Sequence, residues 1–310
     1  MLKDKVNELF ESQVIDWELA GRNYGQLGKV MTRSFGFDGF EIIVQFNPER
    51  MRSSAAKVDA KSIADRPCFL CSQNRPPEQR GVTFGGRMTV LVNPFPIFTR
   101  HLTITSESHT GQRILDSFSD MLMLAGALPD YVIFYNGPQC GASAPDHLHF
   151  QAGNRGFLPI EKDFHGSNLS WKIYEKNGIE IRQWKKYLRT LLTFKGNDPE
   201  ALSSNFRSVY DNFVSIQPGI QEPMLNILAY RESGSWIIHF FPRKIHRPSQ
   251  YFAEGREKIL ISPAAVDLGG VLITPREEDF TKISASDITD IFSQVCLDEH
   301  DLTGLLNGLK

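Results

Sequence analysis

Short runs of β-forming residues recur along the chain and restrict it to a sheet-based fold. KVMTRSF and FEIIVQF flank GFDG, then RMTVLVN, HLTIT, YVIFYNG and HLHFQ follow, and MLNILAY, SWIIHFF and GGVLITP appear farther on. Each has the length of a strand and lies near Gly, Pro, Asn or Asp. GFDG predicts a tight hairpin, because Gly and Asp tolerate the torsions of such turns, so antiparallel pairing starts early. PFPIFTR cannot sit within a central strand and connects two of the runs.

Helical spacing is confined to a few segments. Val6, Phe10, Val14 and Trp17 predict an opening helix from about Lys3 to Leu19, and Ile114, Leu115, Phe118, Met121, Leu122 and Ala125 predict an amphipathic helix packed across the sheet. Further helices are expected from Glu200 to Ile216 and from Ser286 onward. Helices laid on an antiparallel sheet make an α+β pattern. The stretch 153–168, rich in Gly, Asn and charge, is the expected boundary, dividing the chain into 1–160 and 161–310.

Charge narrows the function. With 34 basic and 36 acidic side chains the formal charge is −2, which lacks the positive footprint of a nucleic-acid binder. MLKDKVNELFESQ carries charges where a secretion signal needs apolar residues, and no run approaches the ~20 apolar residues that span a bilayer. No membrane partner and a cytoplasmic location are therefore expected. The cysteines at 68, 71, 140 and 296 are too few for a disulfide framework and are expected to be reduced. Cys68 and Cys71, in RPCFLC, have the spacing that lets two thiolates reach one zinc ion, which would need two further ligands. A redox pair is disfavoured by the lack of a strand-to-helix context. The polar stretch from Asn47 to Pro67 reads as a functional loop. Its Arg50, Arg52 and Lys57, and Arg243, Lys244, His246 and Arg247 of FPRKIHRP, are candidates to neutralise phosphate.

GASAPDHLHFQ, residues 141–151, carries the chemistry. On a strand, His147, His149 and Gln151 share one face while Leu148 and Phe150 take the other. An imidazole is substantially unprotonated near neutral pH and can attack phosphorus, while a neighbouring histidine or a carbonyl holds its tautomer. Gln151 can donate to a phosphoryl oxygen, and the glycines of NGPQCGAS allow close approach of backbone amides. His-x-His alone is weak, since surface strands carry such pairs too; its context is what gives it weight.

YNGPQCGASAPDHLHFQ closely resembles the active-site segment of the transferase branch of the histidine-triad superfamily, in which a Gly-rich loop precedes His-x-His-x-Gln. LVNPFPIFTRHLTITSESH resembles that branch's other strand pair, and LNILAYRESGSWIIHFFPR resembles the N-L-L…W…P-R segment of its phosphorylases. The similarity thus runs from about residue 40 to residue 280. One departure is that three residues separate Ser143 from His147, one more than in the uridylyltransferase pattern.

The resemblance implies an α+β, HIT-like antiparallel sheet with flanking helices, formed by two related halves as a pseudo-dimeric sheet. It implies that His149 attacks an α-phosphorus and is transiently nucleotidylated, with His147 beside it and Gln151 on the phosphoryl group. Asn93, Asn136, Gly141, Ser143 and Arg243 would contact nucleotide or phosphate, and Cys68, Cys71, His109 and His147 would hold a structural zinc. No organic cofactor is implied. The hydrolase branch has a further histidine in place of Gln151, and an amide cannot exchange protons as imidazole does, so transfer is favoured over hydrolysis. The implied reaction is phosphorolysis of a dinucleoside polyphosphate by orthophosphate. A GDP-hexose or other sugar-nucleotide phosphorylase, or a uridylyltransferase, is the alternative, and a non-catalytic nucleotide-binding scaffold is a second one. Base, acceptor and oligomeric state stay open.

Overall fold

The computed structural model describes residues 1–47, 66–166 and 168–307. Thirteen strands among them form two sheets: β1 (Met31–Phe37), β2 (Phe40–Phe46), β3 (Gly81–Phe84), β4 (Met88–Val92), β5 (His101–Ser106), β6 (Tyr131–Asn136), β7 (His149–Asn154), β8 (Ser170–Lys176), β9 (Ile179–Trp184), β10 (Leu192–Gly196), β11 (Leu225–Glu232), β12 (Ser235–Pro242) and β13 (Val271–Thr274). The larger sheet has ten strands in the order β3-β4-β5-β7-β6-β11-β12-β10-β9-β8, all antiparallel. Followed from either edge to the centre, β3-β4-β5-β7-β6 and β8-β9-β10-β12-β11 trace one pattern twice, and β6 and β11 join them.

The GFDG hairpin forms as expected, with Gly39 at a φ of 86°, yet it lies outside the large sheet. β2 pairs in parallel with β13, making a separate sheet of order β1-β2-β13. GGVLITP is a strand as expected, and it lies in this smaller sheet.

Helices cover both faces. The long opening segment is two helices, α1 (Leu2–Asp16) and α2 (Glu18–Gln26), and the amphipathic segment gives α3 (Phe118–Ala127). Ile114 and Leu115 precede α3, because the backbone there is held by other partners. Next come α4 (Pro159–Gly166) and α5 (Pro199–Ile216); the latter starts with Asp198 accepting from the Glu200 and Ala201 amides and Pro199 in the first turn. Last are α6 (Ala265–Leu268), α7 (Glu277–Lys282), α8 (Ala285–Val295) and α9 (Glu299–Leu305). Among the described residues no helix is long and apolar enough to cross a membrane.

Strand alternation sorts the core into two. Tyr131, Ile133 and Tyr135 of β6 join α1, α3 and α5 on one face; Val132 and Phe134 join the opposite core with Trp184, Tyr187 and Phe292. Leu148, Phe150 and Ala152 go to the α3–α5 side, which leaves His149 and Gln151 facing the other way. Phe206 of α5 is fully enclosed, stacked on Phe118 at 4.0 Å and edge-on to Phe240 of β12. Phe206→Ala should therefore lower unfolding free energy by about 3–5 kcal/mol, measured by urea denaturation.

Candidate active site

The site grows from the connection between β6 and β7. Gly137 leaves β6 where an added Cβ would stand 2.9 Å from the Leu225 carbonyl, and Gly141 holds a φ of 99° with Ala264 2.8 Å from any Cβ. Only glycine suits both places, so the small-residue loop packs directly against the C-terminal part of the chain.

The loop returns at His147, whose side chain turns away from the sheet-face cavity into a cluster. Its Nδ1 lies 3.3 Å from Cys68 Sγ and 3.5 Å from Cys71 Sγ, and His109 Nδ1 lies 3.1 Å from Cys71 Sγ. All four ligand atoms fall within 4.8 Å of one another. His147 Nε2 donates to the Ser106 carbonyl at 2.8 Å, which leaves Nδ1 bare towards the thiols. Two thiols and two imidazole nitrogens form a closed donor set suited to a tetrahedral metal ion, with the carbonyl behind His147 fixing its tautomer. His147 was also a candidate for catalytic assistance by its side chain. That is corrected, because both ring nitrogens are engaged away from the cavity; only its carbonyl reaches the neighbouring histidine.

That carbonyl accepts the Nδ1–H of His149 at 2.8 Å. The ring is 3% exposed, and burial pushes its pKa down to about 4, so it is neutral at ordinary pH. With the proton on Nδ1, Nε2 carries the lone pair, has no hydrogen-bond partner among the described residues, and belongs to a residue lining a large cavity.

Gln151, two residues on, is oriented by a buried chain of donors. The Ile97 amide donates to His101 Nδ1 at 3.1 Å, which puts the His101 proton on Nε2, and that nitrogen donates to Gln151 Oε1 at 3.0 Å. Asn93 Nδ2 adds a second, longer contact to the same oxygen at 3.4 Å. Both point to the amide NH2 of Gln151 as the end left for the cavity. Asn93 itself lines the cavity, but its amide serves Thr103 and Gln151 and its oxygen accepts from the Phe95 amide. His101, which carries this arrangement, gave no motif in the sequence.

On the other side of the floor, Asn136 Oδ1 accepts from Asn226 Nδ2 at 2.8 Å and from the Ala265 amide at 2.9 Å. Asn226 is held in turn by Arg243, whose Nη1 donates to Asn226 Oδ1 at 2.6 Å. Arg243 is fully buried, and its nitrogens also donate to the carbonyls of Val295, Pro263, Ile245 and His246. The expectation that Arg243 binds phosphate is corrected: its guanidinium is a structural hub with no donor left over. Of the FPRKIHRP group, His246 and Arg247 line the cavity instead. Arg247 Nε donates to Ser262 Oγ and its guanidinium lies 4.2 Å from the Tyr251 ring centre. Arg50, Arg52 and Lys57 lie outside the described residues.

The cavity measures about 470 Å³, room for a nucleotide. His149, Gln151, Asn136, Gly141 and Ser143 line one part of it, and Trp17, Phe69, Leu70, Phe95 and Ile97 supply apolar walls.

Two family descriptions match the chain. Residues 9–154 match a domain of unknown function, DUF4922, and residues 163–306 match the GDPGP1-like C-terminal domain. No curated protein matches by sequence. Among solved structures, yeast Ap4A phosphorylase Apa2 is similar over 96% of this chain and 97% of its own, with a TM-score of 0.65 and 16% identity. The same yeast enzyme in complex with AMP covers 91% of this chain and 93% of its own at a TM-score of 0.59 and 14% identity. Its complex with Ap4A covers 93% and 97% at 0.59 and 15%. At these identities the likeness is one of fold.

Titration by NMR should find the His149 ring neutral throughout pH 5 to 8, protonating only as pH falls towards about 4. An ordinary midpoint near 6.5 would show that the ring is hydrated.

Proposed function

We propose that this chain, which has the fold of the transferase branch of the histidine-triad superfamily, is a nucleotidyltransferase working through a covalent nucleotidyl-His149 intermediate. The observation that carries the reading is the pairing of a neutral imidazole, its Nδ1 proton held by the His147 carbonyl, with a cavity of nucleotide size. Nε2 attacks an α-phosphorus, the P–N bond forms, and the P–O bond to the departing phosphate chain breaks. Orthophosphate then attacks the same phosphorus, the P–N bond breaks, and a nucleoside diphosphate leaves with His149 regenerated. Burial supports this sequence by keeping the nucleophile unprotonated.

Gln151 would donate its amide NH2 to a phosphoryl oxygen, and the loop of Gly141 and Ser143 would bring backbone close to the same group. Asn136 would present its amide to the nucleotide, and Arg247 would offset charge on the phosphates. Asn93 would act through Gln151 by holding its amide orientation. A dinucleoside polyphosphate is the first substrate reading, in line with the fold shared with an Ap4A phosphorylase. A GDP-hexose is the second, favoured by the GDPGP1-like match of residues 163–306.

Zinc fits the Cys68, Cys71, His109 and His147 donor set, where it would be a structural ion with no open coordination position. Its role would be to lock the segment carrying Phe69 and Leu70 against the strand that carries His149. Elemental analysis should give close to one zinc per chain, and Cys71→Ala should abolish retention of the ion.

Incubation with Ap4A or a GDP-hexose, without acceptor, should add one nucleotide to the intact protein mass, and orthophosphate should remove it. His149→Ala should lose the adduct and keep nucleotide binding. Nucleotide affinity in the wild-type chain with neither adduct nor exchange of labelled phosphate would establish a non-catalytic scaffold instead.

A further inference from the structure

The β6–β7 ladder stops short of His149. Pairs run from Tyr131–Asn154 to Phe134–Gln151, and the same register continued would set Asn136 opposite His149. Those two residues line the cavity, yet their backbones do not meet. The side-chain amide of Gln112 stands between them. Its Oε1 accepts from the His149 amide at 2.8 Å, while its Nε2 donates to the His149 carbonyl at 2.9 Å and to the Asn136 carbonyl at 3.0 Å. An amide group has the same donor and acceptor atoms as a peptide, so Gln112 fills a rung of the ladder that separated strands leave open.

The bridge is itself rigid. Gln112 is 1% exposed, and its backbone amide donates to the Pro145 carbonyl. On one side the Thr110 carbonyl accepts from the Leu148 amide at 2.7 Å. On the other, the Ile114 amide donates to Glu222, whose second oxygen accepts from the Tyr135 hydroxyl. Both flanks of Gln112 are thus tied to the strands that it spans.

We propose that Gln112 is a positioning residue that sets where the His149 ring stands in the cavity, by acting as a peptide surrogate between β6 and β7. This rests on the nucleotidyl-transfer reading above. Without the bridge, the His149 backbone loses both of its contacts on that side and Asn136 loses its own, and the ring that His149 carries is no longer fixed relative to a bound phosphorus. Displacement of a reacting group by about 1 Å slows a reaction by roughly 10²-fold, while contacts to the rest of the nucleotide persist.

The test uses the full chain with Gln112→Met, which keeps the length and removes the hydrogen bonds. Gln112→Glu, which turns a carboxylate towards two carbonyl oxygens, serves as the second variant should the first fail to fold. Single-turnover nucleotidylation is followed with whichever of Ap4A and a GDP-hexose labels the wild-type protein. Labelling should slow ~10²-fold with the nucleotide dissociation constant within roughly twofold of wild type. A further arm uses His149→Gly, with free imidazole supplied to take the place of the missing ring. There, adding Gln112→Met should leave the imidazole-restored rate unchanged, because no residue-149 ring remains to be positioned. Labelling at the wild-type rate in Gln112→Met, or an equal loss in the imidazole-restored reaction, overturns the proposal. Absence of any wild-type adduct would overturn the nucleotidyl-transfer reading. Hydrogen exchange at the His149 amide still reads the bridge in that event: faster exchange in Gln112→Met supports it and unchanged exchange refutes it.

Discussion

The hydrogen bond from His149 Nδ1 to the His147 carbonyl is the constraint around which the site is arranged. It fixes the tautomer that leaves Nε2 with its lone pair, and it works only because the ring is removed from water and stays uncharged. His147 can present that carbonyl because its own imidazole is anchored between two thiols and the Ser106 carbonyl. One residue therefore links a cluster suited to a metal with a candidate nucleophile, through its main chain alone. Alternation along the strand does the remaining sorting, sending Leu148 and Phe150 to one core and His149 to the opposite face.

The repeated strand pattern gives this arrangement a counterpart that has taken a different course. In β7, Gln151 lies opposite Thr103 of β5; in β12, His239 lies opposite Thr193 of β10. Gln151 lines a cavity, whereas His239 is enclosed by Trp184, Phe164 and Tyr230. Thr193 Oγ1 accepts from Trp184 Nε1 and lies 2.9 Å from His239 Nδ1, and burial pushes that histidine down to about 3. Aromatic packing fills the corresponding position. The same topology thus supports a cavity in one part and a solid core in the other, and side-chain volume decides which.

What was legible in the sequence followed from periodicity and from side chains whose chemistry is local. His149 and Gln151 are found at alternate positions of a recognisable strand, and Cys68, Cys71, His109 and His147 do converge. The edge strand β8 and its neighbour β9 escaped notice because SWKIYEK and IEIRQW mix charges with apolar residues, as half-exposed strands do. Arg243 was misread because its partners are carbonyls from distant segments, which no spacing reveals. Gln112 and His101 were missed for the same reason: each acts by bonding to groups close in space and far along the chain. Helix α3 begins later than its apolar pattern suggests, since Ile114 is tied to Glu222 from the C-terminal part.

The Asn136–Asn226–Arg243 chain ties the two strand patterns together across the cavity floor. Here the cavity floor takes Asn136 from one repeat and its two donors, Asn226 and the Ala265 amide, from the other. Separating the two parts would leave a buried amide oxygen unsatisfied and the backbone of β6 open along the edge that pairs with β11. One continuous chain carries both sides of this floor, so the donors to Asn136 stay at hand at any protein concentration.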